Sequence, residues 1–80
     1  MHTVFLEFEF GQLAAIVYES LKPELAAVPS ERSKVEMSVH EGRLNLLITA
    51  EDIISLRAAV NTWLRLVRIA EEMLNTKVTP

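Results

Sequence analysis

From Glu51 to Asn75 the chain runs for nearly a third of its length without a proline or a glycine, and most of these residues are good helix formers. The segment predicts one long helix. Thr49, or Asp52 if the helix starts later, is placed to cap its N-terminus. At about 100° per residue, Met73, Leu66, Ala59, Ala70, Trp63, Leu56, Leu74, Val67, Val60, Ile53 and Leu64 share one arc of roughly 180°. A helix lying on a single core usually shows a narrower stripe, a little over about 100°. Either a second helix covers the surplus or part of it meets another chain.

The rest of the sequence supplies what such a helix can lie on. In "TVFLEFEF", Val4, Leu6, Phe8 and Phe10 alternate with Thr3, Phe5, Glu7 and Glu9, the period of a strand with one buried face. Only Phe5 interrupts the polar side. "GQLAAIVYESL" sets Leu13, Ile16, Val17 and Leu21 at helical spacings and is stopped by Pro23. "PELAAVPSERS" reads as a loop with at most one helical turn. "KVEMSVH" and "RLNLLITA" alternate again, and Glu41-Gly42 between them fits a two-residue hairpin turn. The order is β-α-β-β-α, and the expected fold is α+β: a three-stranded antiparallel sheet with two helices packed on one face. Residues 1–80 are expected to form a single domain, with no internal repeat.

Eighty residues give a core of marginal size, so oligomerisation is an expected source of further burial. There is no cysteine for a disulfide or a thiolate metal site, which favours an intracellular address. No apolar run approaches the roughly 20 residues needed to cross a bilayer, and the N-terminus lacks the pattern of a signal peptide. A soluble, cytoplasmic protein is expected. The formal net charge of −3 argues against a stand-alone nucleic-acid binder, since such proteins draw affinity from neutralising phosphates.

On the other side of the long helix, Arg57, Asn61 and Arg65 follow at intervals of four, with Arg68 close by. One reading is a solvated face with Glu71 and Glu72 as local ion-pair partners. The other is contact with phosphates or acidic groups, which suits the planar donor fork of arginine. Catalytic chemistry is missing: His2 and His40 have no metal-ligand spacing, Ser30 and Ser33 lack an evident base, and no glycine-rich phosphate loop exists. Neither the GxxG loop of a KH domain nor the aromatic motifs of an RRM is present. An interaction protein, without enzymatic activity or cofactor, is the class these residues support.

"VPSERSKVEMSV", followed after the hairpin by "AEDIISLRAAVNTWLRLV", resembles the Pcc-type small subunit of the archaeal and eukaryotic KEOPS complex, whose human relatives include the CTAG/LAGE family. The distinctive parts are Arg32-Ser33 and the helical pattern Asp52, Leu56-Arg57-Ala58, Asn61, Leu64-Arg65. The chain departs from the pattern at Leu66, where members often carry an aromatic; the ring here is Trp63. The resemblance implies a non-catalytic subunit that forms a homodimer or a paralogue heterodimer and binds the Kae-type catalytic subunit through a helical bundle. That complex places threonylcarbamoyl on the tRNA adenosine beside the anticodon. Neither a membrane nor a small-molecule substrate is implied. Carried over, the resemblance assigns Leu13, Val17, Leu56, Ala59, Trp63 and Leu66 to core or partner packing. Arg32, Arg57, Asn61, Arg65 and Arg68 become candidates for tRNA contact within the complex. The competing reading is an independent RNA-binding module using the Arg57, Arg65 and Arg68 stripe.

Overall fold

The computed structural model describes residues 1–27 and 32–75, with the backbone alone at Asn75. Strand β1 (His2–Glu9) leads through a 3-10 turn (Gly11–Leu13) into α1 (Ala14–Leu21) and a one-turn helix α2 (Glu24–Ala27). Then come β2 (Ser33–His40), β3 (Arg43–Ala50) and the long helix α3 (Ile53–Asn75). The sheet is antiparallel with order β1-β3-β2, so the last strand in sequence sits in the middle.

Register explains the core. Val4, Ile48 and Val35 form one row across the sheet, Leu6, Leu46 and Met37 the next, and Phe8, Leu44 and Val39 the third. All point to the side that carries the helices. On β3, flanked by strands on both sides, Leu44, Leu46 and Ile48 are fully buried, whereas their neighbours on the edge strands are half-buried. Each such buried side chain is worth roughly 1.5–3 kcal/mol relative to exposure. Val17 and Leu21 of α1 and Leu56, Trp63, Val67 and Ala70 of α3 close the core from above.

The chain has two glycines, and they meet. Glu41 (φ 49°) and Gly42 (φ 78°) both have positive φ, the turn that matches strand twist in a two-residue hairpin. The Gly42 carbonyl accepts hydrogen bonds from the N–H groups of Phe10 (3.0 Å) and Gly11 (2.9 Å). A Cβ at Gly42 would lie 3.1 Å from the Gly11 Cα, so this contact ties the hairpin to the start of the first helix only with glycine there.

The 3-10 turn alters one sequence expectation. Leu13 and Ile16 share helical spacing with Val17 and Leu21 but are exposed, and Ala14 takes the buried place. Because α1 starts only at Ala14, its buried stripe runs Ala14, Val17, Leu21, and Leu13 belongs to the turn before it. The helical turn expected after Pro23 is α2; the remainder of that loop, 28–31, lies outside the described residues.

Helix lengths position the surfaces. At about 1.5 Å per residue, α1 spans about 12 Å and α3 about 34 Å, against about 26 Å for an eight-residue strand. Since β3 ends opposite the start of β1, α3 begins at that end and runs back toward the hairpin. It outruns the sheet by about two turns. The short α1 leaves the start of β2 uncovered, and a groove of about 460 Å³ opens there between Arg32–Val35, Leu25 of α2 and the first three turns of α3.

Candidate interaction surfaces of the long helix

The structure divides the apolar arc of α3. Leu56, Val67, Ala70 and Trp63, 3% exposed, occupy its centre and lie in the core. Ala59, Val60, Leu66 and Leu74 are half-buried, while Ile53, Leu64 and Met73 at the two margins are exposed. Of the residues assigned to core or partner packing, Val17, Leu56 and Trp63 are therefore enclosed by this chain alone. Leu13, Ala59 and Leu66 remain reachable.

Exposed apolar residues stand at both ends of the sheet: Met1, Ile53 and Ile54 where β1 and α3 begin, and a second set at the hairpin end. Leu13 and Ile16 stand where α1 begins, and Ile69 (47% exposed) and Met73 (73% exposed) stand where α3 ends, at the same end of the sheet. Leu66 and Leu74 are half-buried beside them in sequence. Helical phase groups Ile69 with the arginine side rather than the apolar arc, so periodicity passed over it. An isolated large apolar residue between Arg68 and Glu71 was its only signal. Among the described residues these four side chains, Leu13, Ile16, Ile69 and Met73, keep between 39% and 73% of their surface exposed.

The polar side of α3 carries Arg57, Asn61, Arg65 and Arg68, all exposed. Arg68 Nε donates to Glu72 Oε1 at 3.3 Å, the local pair that the sequence allows. Arg57 and Arg65 have no ion pair among the described residues, whereas Lys22, Arg32, Lys34, Arg43 and Arg68 each have at least one. With Asn61 between them, these two guanidinium groups are spaced along about 12 Å of helix. They are the cations best able to take an external anion, because no internal carboxylate has to be displaced.

Arg32 is held differently. It lines the groove, and its Nη1 lies 3.6 Å from Asp52 Oδ2. Asp52 in turn caps α3, accepting the Ser55 N–H on Oδ1 at 2.7 Å. The Asp52 carboxyl is held below the ordinary carboxylate range, first by that Ser55 N–H and then by the Ser55 hydroxyl; burial opposes them, and the Arg32 charge and the Ile54 N–H add lesser lowering effects.

The outer face of the sheet is mostly charged and polar. Arg43 lies 3.9 Å from both Glu7 and Glu9, and Lys34 lies 3.3 Å from Glu36. Phe5 and Leu47, paired in register, make a small apolar spot there, beside the buried and unpartnered Oδ1 of Asn45. Among the described residues no group of histidines and carboxylates could hold a metal ion, and no helix is long and apolar enough to cross a membrane.

The family model described as "Transcription factor Pcc1" matches residues 1–75. The chain belongs to the Pcc1 family. It is also similar to the KEOPS complex subunit Pcc1 of Pyrococcus abyssi (strain GE5 / Orsay), with 35% identity over 72 residues, covering 90% of this chain and 88% of that protein. The match of the family model takes in the whole sheet and the helices α1 to α3.

Proposed function

We propose that this chain is a non-catalytic assembly subunit of a KEOPS complex, supporting threonylcarbamoyl modification of the tRNA adenosine beside the anticodon. The observation that carries the reading is the apolar ridge of Leu13, Ile16, Ile69 and Met73 at one end of a domain whose core is already closed. Helices of the Kae-type catalytic subunit dock there and complete a bundle with α1 and α3. Burial of such a ridge is the hydrophobic driving force for association, and it leaves the core residues Val17, Leu56 and Trp63 in their structural role.

Dimerisation, with a second copy or with a paralogue, belongs to the same reading and is supported by the small core of an 80-residue chain. Within the assembled complex, Arg57, Asn61 and Arg65 face tRNA phosphates, and Arg68 contributes after releasing Glu72. A net charge of −3 makes the subunit alone a poor RNA ligand, which also weighs against the competing reading as an independent RNA-binding module. The same charge weighs against a stand-alone DNA-binding role.

Co-expression with the catalytic subunit tests the reading. A stable complex, lost in the Met73→Asp and Ile69→Asp variants while both remain folded, is the expected result. Equal recovery of the catalytic subunit with wild type and both variants would sink the proposed ridge, and RNA binding by the subunit alone at physiological salt would favour the competing module.

A further inference from the structure

Arg32 and Asp52 come from different parts of the chain and meet where β2 starts and α3 begins. Three contacts run in series there. The last rung of the sheet pairs Ser33 with Ala50. One step beyond it, the Glu51 N–H donates to the Arg32 carbonyl at 3.0 Å, continuing the ladder past both strand ends. The Arg32 guanidinium then reaches Asp52 Oδ2 at 3.6 Å, and Asp52 Oδ1 holds the Ser55 N–H at 2.7 Å.

From this series we infer that Arg32 is a positioning residue: it clasps the capping carboxylate and fixes the first turn of α3 to the start of β2, and it is not a phosphate contact. An aspartate has two carboxylate oxygens and one free rotation about each side-chain bond. With Oδ1 committed to the Ser55 N–H, the charge facing Oδ2 decides whether the cap keeps its orientation. The backbone bond from Glu51 fixes where Arg32 starts, so the guanidinium needs little further ordering to reach its partner. Arg32 also forms the mouth of the groove opposite Ser55, and the clasp sets that opening and the direction in which Arg57, Asn61 and Arg65 project. An external phosphate would have to draw the guanidinium away from an existing carboxylate, unlike at Arg57 and Arg65.

The inference changes one residue within the proposed function and stands whether or not the chain meets tRNA, so the two fail separately. The test is a double-mutant cycle on the isolated subunit, with the carboxyl of Asp52 followed by NMR through a pH titration. Asp52→Asn keeps a capping oxygen and removes the charge. Arg32→Ala should lower the melting temperature by about 1–4 °C in the wild type, and by distinctly less in the Asp52→Asn background. It should also raise the Asp52 pKa toward its ordinary value, and Arg32→Lys should restore most of the difference. Additive melting shifts together with an unmoved Asp52 titration would overturn the clasp. So would loss of about one unit of salt slope for tRNA binding by the complex on Arg32→Ala, since that is the signature of a phosphate contact.

Discussion

At its N-terminal end α3 is tied down by a capping carboxylate, an arginine from β2 and a backbone bond from Glu51, and its next turns pack Leu56 and Trp63 into the core. At its C-terminal end the same helix outruns the sheet, and among the described residues Ile69 and Met73 stay exposed, at 47% and 73%. Local helix signals are similar along the whole length, since proline and glycine are absent throughout. What differs is the scaffold beneath. Polar anchoring therefore concentrates at the start of α3, while core packing runs on through Val67 and Ala70 before the exposed end is reached.

The sharpest break in that comparison is at Trp63. Replacing it by alanine should cost about 3–5 kcal/mol, because a nearly enclosed ring leaves a cavity the sheet cannot fill. Against the roughly 5–15 kcal/mol typical of a domain, that loss should move the midpoint of chemical denaturation to distinctly lower denaturant. Met73→Asp should move the same midpoint by no more than about 0.5 kcal/mol. Its effect should fall on assembly, with a loss of about 2 kcal/mol or more, some thirty-fold in affinity for the catalytic subunit by titration calorimetry. A large stability loss from Met73→Asp would mean that the overhang is structural after all.

Arg65→Ala probes the polar side of the same half. In the assembled complex it should weaken tRNA binding modestly and lower the slope of log affinity against log salt by about one, while Arg68→Ala, already paired with Glu72, should do less. Equal effects would remove the distinction between paired and unpaired arginines. The smallest expected effect is at the capped end. Asp52 has a folded pKa below its unfolded value of about 3.9, so its contribution is complete above that pH and fades as pH falls through the folded pKa. The gap in melting temperature between wild type and Asp52→Ala should thus be constant from pH 7 to about 5 and close below about pH 4. A gap that persists in acid would show that the charge of the cap contributes nothing.

Much of the scaffold was legible before any coordinates. Strand β3 matches its predicted span of residues 43–50, the turn falls on Glu41-Gly42, and Asp52 rather than Thr49 caps the long helix. These are local matters, decided by alternation, positive φ and a side-chain oxygen within reach of nearby N–H groups. Leu13, set by helical spacing with Val17 and Leu21, lies in the 3-10 turn before α1 and stays exposed instead of joining their buried stripe. Ile69 was overlooked because its angle put it among the arginines, and exposure there depends on how far the sheet extends under the helix.

The sequence by itself determined the periods, the order of elements, the hairpin and the disproportion between an eight-residue and a 23-residue helix. Only the tertiary structure decided that β3 is central, where the apolar arc of α3 stops being core, and that Arg32 belongs to Asp52. The physical reason is range. Backbone preferences and side-chain periods act within a few residues, whereas burial and ion pairing depend on what other segments, of other lengths, bring to the same place.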